Sequence, residues 1–402
     1  MVLRAGDCGD FPLAMTAAQK FRAGIYTVEA INSFASVIYF NYLYFYFRDQ
    51  FGFDNKHNLA LAALIGLIYT FSSWQGGRLA ARFGYFTALK SGYGLMAAGL
   101  LVGAQLHTVA GEIAVACVVN MGLCLIWPTL EALVSEGAVA ADAVGLYNIT
   151  WAATNALAYF IGGTLIEKLG YRSIFYIPCA LMLLQLALVT ILQKRQLPAL
   201  PREPETLHSV AEAEPPSPAR AESFKHMAWL ANPFAYLAIN TLIAAMPGVA
   251  ANFHLSPMMA GFACSLWCFA RLGMFGILWT WADWHYRFRW LAGAYALLVI
   301  SFASILTVPS LPVLIVAQIF FGGAIGLIYY SSLFYSMAGG GAKSEHGGIH
   351  EAAIGMGNCI GPALGAASLQ FLPQVAHSGA MAVTVLLLGG FGGLFALRSR
   401  NH

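Results

Sequence analysis

Apolar runs near the roughly 20 residues that a bilayer-spanning helix needs recur from one end of this chain to the other. They fall at 24–47, 57–77, 87–107, 111–134, 144–166 and 172–193, then at 228–250, 257–282, 289–308, 312–337, 349–371 and 379–397. Between the two sets of six lies the segment 193–226, with six prolines, five Lys/Arg and five Glu. Such a segment cannot bury enough surface to offset its ordering entropy, so a disordered linker is expected there. Of the 402 residues 59% are hydrophobic and 10% charged, against about 45–50% and 25% in soluble domains. The chain is therefore read as an all-α membrane protein of twelve transmembrane helices in two six-helix bundles. The expected divisions are 1–193, a linker at 194–226, and 227–402. The first residues carry Asp7 and Asp10 and no continuous apolar stretch, unlike a cleaved signal peptide. Six of the seven cysteines lie inside apolar runs and read as small core residues rather than as disulfide or metal ligands.

Loop charge sets the orientation. One side collects Arg4, Lys20, Arg22, Arg78, Arg82, Lys90, Lys194, Arg195, Arg202, Arg220, Lys225, Arg287, Arg289, Lys343, Arg398 and Arg400. The other has Arg48, Lys56, Lys168 and Arg172. Sixteen against four places both termini and the linker in the cytoplasm, which requires an even number of spans. A shift of 202 residues lays Leu125–Trp127 on Leu327–Tyr329, Gly145 on Gly347, Gly163 on Gly365 and Ala80 on Ala282. One shift aligning several segments points to a parallel repeat of six helices.

The segment after the second run reads Gly77-Arg78-Leu79-Ala80-Ala81-Arg82-Phe83-Gly84. It resembles the G-x-L-A-D-R-x-G signature of the major facilitator superfamily, with Ala81 standing where that family has Asp. The shifted loop in the second half keeps the acid, as Asp283. The resemblance implies two bundles joined by a cytoplasmic linker, a loop with a tight turn, and a gating role for Gly77, Arg78, Arg82, Gly84 and Asp283. A Gly-Pro-rich fifth helix, the mark of the family's drug/proton antiporters, is missing. Its likeness, Gly357, Gly361, Pro362 and Gly365, falls in the eleventh run.

Charged groups inside a bilayer are costly and mark a pathway or a partner. Arg271 lies about 14 residues, or ~21 Å at 1.5 Å per residue, into its run, near the midplane. It is expected to bind an anionic solute or to pair with a buried acid. Glu29 shares a helix face with Asn32, Ser33, Ser36 and Phe40. A second stripe carries Asn120, Cys124, Trp127 and Glu131, and a third carries Asn148, Trp151, Asn155 and Tyr159. The tenth run adds Tyr329 and Tyr330. Indoles that stack on a ring beside amides that hydrogen-bond suit a sugar-like or organic-acid-like solute. Structural roles as interhelical glue or satisfied buried acids stand beside each of these assignments. His350 and Glu351, at the start of the eleventh run, are weighed as proton-coupling groups alongside Glu29 and Glu131. The metal reading of His346, His350 and Glu351 is set aside.

The chain has no G-x-x-x-x-G-K-[ST], HExxH or GxSxG element. ATP-driven pumping and intramembrane hydrolysis thus lack their machinery, and no cofactor is expected. The expected function is secondary active transport of a small polar solute by alternating access, coupled to protons, by a monomer in the inner or plasma membrane. Its partners are the solute, protons and the lipid bilayer, with no nucleic acid. The alternatives are a facilitated-diffusion uniporter and a transport-inactive receptor or scaffold that retains the fold.

Overall fold

The computed structural model describes residues 16–135, 140–195, 217–338 and 344–400. These form twelve α-helices and no strand. The first half holds α1 (Ala17–Phe51), α2 (Asn55–Phe83), α3 (Tyr85–Gly103), α4 (Val109–Ser135), α5 (Ala140–Leu169) and α6 (Ser173–Lys194). The second holds α7 (Pro218–Asn252), α8 (Pro257–Thr280), α9 (Phe288–Thr307), α10 (Leu311–Ala338), α11 (Ser344–Phe371) and α12 (Ser378–Arg400).

The repeat seen in sequence extends to helix starts and caps. Asn55 and Pro257 begin α2 and α8, and Val109 and Leu311 begin α4 and α10, each pair 202 residues apart. Asp54 caps α2 by accepting from the His57 N–H at 2.9 Å, and its equivalent Ser256 accepts from the Met259 N–H at 3.3 Å. By length and composition, ten of the described helices could cross a membrane. The remaining two are α1 and α3. In α1, the buried Glu29, Asn32, Ser33 and Ser36 replace apolar residues on a face that meets protein rather than lipid.

Two boundaries differ from expectation. The seventh helix begins at Pro218, not 228: Ser217 is its N-cap and Pro218 fits the first turn, where no N–H is needed. The Ala-, Arg- and Glu-containing stretch that follows is helical despite its polarity. Arg220 Nη2 donates to the Tyr286 carbonyl at 3.0 Å, and Phe224 is buried against Tyr286 and Tyr335. The end of the expected linker is thus anchored to the second half, whereas 196–216 lie outside the described residues. The signature at Gly77–Gly84 is likewise not a loop. Residues 77–83 are the last turns of α2, and the reversal is confined to Gly84, whose φ of 88° a side chain would oppose.

The two most extensive helix–helix contacts join the halves, α2 with α11 and α5 with α8. Small residues bring these backbones together. A Cβ on Gly163 would stand 2.0 Å from the Pro257 carbonyl oxygen, and one on Gly66 would stand 2.4 Å from the Asn358 backbone. By contrast, α3, α6, α9 and α12 contact helices of their own half only.

Candidate functional site

Between the halves lies a cavity of about 160 Å³. At ~10–15 Å³ per water, that is room for roughly ten waters or a small solute. Residues of α1, α4, α7 and α10 line it. Its wall also includes α2, α5, α8 and α11, because the α2–α11 and α5–α8 contacts close its two sides. The peripheral α3, α6, α9 and α12 contribute nothing to it.

On one side stands Arg271 of α8, 4% exposed. Its guanidinium carbon lies 4.4 Å from the Trp151 ring centre and 4.8 Å from that of Trp267. Two indole faces attract the cation through their quadrupoles but do not neutralise it. Nε and Nη2 are buried without a hydrogen-bond partner. Among the described residues no ion pair includes Arg271. The aromatic shell continues through Phe275 and Tyr329, at 5.5 and 5.3 Å from Trp151, and through Tyr236, at 6.0 Å from Tyr329. Polar groups on the wall include Asn41, Asn155, and the Asn240 amide that donates to Asn358.

Across the cavity, Glu131 of α4 and Glu351 of α11 meet and hydrogen-bond one another. The Tyr69 hydroxyl of α2 donates to Glu351 Oε2. Trp127 lies beside Tyr69, with ring centres 6.3 Å apart. Tyr69 and Arg271 are 202 residues apart, so the two halves place a phenol and a guanidinium at equivalent helix positions.

Ser36, Phe40 and Asn120 of the polar stripes line this cavity, and of the eleven residues given a binding or proton-coupling role in sequence, Arg271, Trp127, Trp151, Asn155, Tyr329, Glu131 and Glu351 do so as well. Four do not. Asn148 is fully buried beside it, where Oδ1 accepts from the Trp151 indole N–H at 3.0 Å; it orients the indole rather than meeting solute. Tyr330 turns away from the cavity onto Phe275 and Trp284. Glu29 is buried behind the wall, where its Oε1 accepts from Ser33 at 2.8 Å and Trp127 approaches it. His350 lies edge-on to Tyr329, with Nε2 buried and unpartnered. Among the described residues no three His, Cys, Asp or Glu side chains group as metal ligands would.

The signature residues sit away from the cavity. The guanidinium of Arg78 stacks on Trp74 at 4.1 Å and that of Arg82 lies 5.2 Å from Phe83, while Asp283 pairs with Arg287 of its own loop at 3.2 Å. Sequence reasoning missed Tyr69, Trp267, Tyr236, Asn240 and Asn358. The 202-residue shift from Arg271 would have found Tyr69, and one helical turn back from Arg271 would have found Trp267.

The sequence pattern of the Major Facilitator Superfamily matches residues 139–366, more than half of the chain. No curated protein matches the chain. Three solved structures superpose on nearly all of it at low identity. The human organic anion transporter MFSD10 (TETRAN) has a TM-score of 0.68 at 14% identity, covering 95% of this chain and 100% of its own. A bacterial homologue of the human drug peptide transporters PepT1 and PepT2 also has a TM-score of 0.68, at 12% identity, covering 96% and 100%. The nucleoside transporter NupG has a TM-score of 0.64 at 13% identity, covering 94% and 99%. With its twelve helices and its central cavity between two halves, the chain belongs to the Major Facilitator Superfamily and is an integral membrane transporter of small molecules rather than an enzyme.

Proposed function

We propose that this transporter carries small polar solutes bearing an anionic group, carboxylates above all, together with protons. Alternating access would come from rocking 1–193 against 227–402, with 194–226 as the strap between them. The observation that carries the reading is Arg271: a buried cation in a cavity wall, caged by indoles, needs a counter-charge, and an anionic solute brings one. Trp127, Trp151 and Tyr329 offer faces for stacking and Asn155 an amide for orientation. Protons would bind at Glu131 and Glu351, with Glu29 behind them. That one structural neighbour is named an organic anion transporter agrees with the reading. The sixteen-to-four loop charge supports cytoplasmic termini in the inner or plasma membrane. A cavity enclosed within one chain supports a working monomer.

The test is uptake into proteoliposomes under an imposed inward proton gradient, with labelled carboxylates, amino acids and sugars compared. Carboxylates should accumulate, and Arg271→Gln should lower their uptake at least ~10-fold, the equivalent of about 1.4 kcal/mol. Equal uptake by Arg271→Gln and the parent overturns the anion reading. Accumulation of sugars alone would favour a neutral polar solute.

A further inference from the structure

We infer that Glu131 and Glu351 share a single proton, and that this proton ties the two halves together along α4 and α11. The inference rests on the proposed reading of the cavity as the transport path. The two residues stand 220 positions apart, one in each half, and both line the cavity. Their side chains hydrogen-bond each other. An ionised carboxylate only accepts, so two carboxyl groups joined by one hydrogen bond must hold a proton between them. The other oxygen of Glu351 accepts from Tyr69. Both partners of this second-half acid therefore come from the first half, and one of the two bonds exists only while the proton is present.

Glu351 is 5% exposed. Among the described residues, the titratable groups around the pair include Glu29 of α1, Tyr69 of α2, Cys124 of α4, Tyr147 of α5, Tyr236 of α7 and Tyr329 of α10. Arg271 of α8 interacts with Tyr236, His350 of α11 packs on Tyr329, and Arg398 of α12 stacks instead on Phe288. Among the described residues no ion pair includes Glu351. Loss of the proton thus leaves like charges face to face in a wall of low dielectric, and they repel. The tie is made at low pH and released as pH rises.

The repeat makes this device one-sided. The positions equivalent to Glu131 and Glu351, 202 residues away, are Leu333 and Ile149. Along α5 and α8 the halves meet through contacts such as Phe160 on Phe262, and Glu167 accepts from the Met258 N–H at 3.2 Å. A carboxyl pair across the cavity wall is found on the α4–α11 side.

The experiment uses the full chain in lipid nanodiscs without solute, read by pH-difference infrared spectroscopy and by hydrogen–deuterium exchange corrected for the chemical rate. Raising the pH should remove one protonated-carboxyl C=O band and speed exchange of 127–134 in α4 and 350–358 in α11. Glu131→Gln and Glu351→Gln should each lose that band. Because an amide N–H donates to a carboxylate without a titrating proton, both should also keep slow exchange at every pH. Persistence of the band in both variants would place the proton elsewhere, at Glu29 for instance, and overturn the inference. Exchange in both variants that still follows pH as in the parent would overturn it too. Arg271→Gln should retain the band and the pH-dependent exchange, so a failure of the anion reading and a failure of the tie are told apart.

Discussion

Replacing Arg271 by Met should make the empty transporter more stable while removing the proposed anion site. An unpaired buried ion carries a penalty of several kcal/mol, and a well-packed apolar side chain in place of buried charge commonly gains about 1–4 kcal/mol. Against that gain stand the two indole contacts at 4.4 and 4.8 Å, each worth about 1–2 kcal/mol in a dry setting. The unbranched Met chain keeps some of that packing through its sulfur. The balance is a stabilisation of about 1 kcal/mol, a rise of a degree or two in apparent Tm.

The assay is thermal unfolding in detergent, with and without a carboxylate found to be transported. At a hundredfold excess over Kd the parent should gain about 2.7 kcal/mol from binding, and the Met variant nothing. The gap in melting temperature therefore closes or reverses when solute is added. If the empty Met variant melts below the empty parent, the chain itself already compensates the guanidinium.

Gly163→Val should disrupt the α5–α8 contact, since its Cβ alone would fall 2.0 Å from a backbone oxygen; a cost of about 1–3 kcal/mol or more is expected, read as lost monodisperse yield and transport. Gly273→Ala, with nothing within 4 Å of the new methyl, should stay within ~1 kcal/mol of the parent, and equal damage from both would discredit the close-approach argument. His285, in the loop between α8 and α9, stacks on Phe334 at 4.3 Å, and burial pushes its pKa down to about 4. A folded pKa below the unfolded one means stability that is complete above ~6.5 and is lost as pH falls toward the folded value. Amide exchange of 281–287 should therefore speed up on acidification, and His285→Phe should abolish that response; a loop indifferent to pH in the parent would refute it.

The architecture was legible because span length and a fixed shift are properties of the chain itself. The depth of Arg271 followed from counting along one helix, as did the stripes through Glu131 and Trp127. What could not be read was the sharper question of which residue in a stripe meets the cavity. At 100° per residue, Tyr147, Trp151 and Asn155 of α5 cover the arc that faces the lumen. Asn148 lies at the edge of that arc, close enough to join the stripe but turned onto Trp151. Tyr329 and Tyr330 are a full 100° apart, so only one could face inward. The signature segment and the start of α7 were misjudged for a common reason: charged residues end an apolar run without ending a helix, since Ala, Leu, Arg, Lys and Glu are all good helix formers. The pairing of Glu131 with Glu351 joins two halves of the chain and leaves no mark at any local spacing.

Charge would link the two sides of the cavity. Tyr236 interacts with Glu351 and with Arg271, and so lies between the two sites. With one proton on the carboxyl pair, the pair and the guanidinium together sum to zero. An entering anion makes that sum negative, and a second proton on the pair restores it. For unit charges ~10 Å apart at an effective dielectric of about 20, the interaction is roughly 1.7 kcal/mol, or somewhat more than tenfold in affinity. Linkage is reciprocal, so the proton must favour the anion by the same factor that the anion favours the proton. A neutral sugar in the same cavity would create no such interaction. Coupling by this route would therefore belong to anionic solutes, because the charge proposed to bind at Arg271 would also be the charge that draws the proton in.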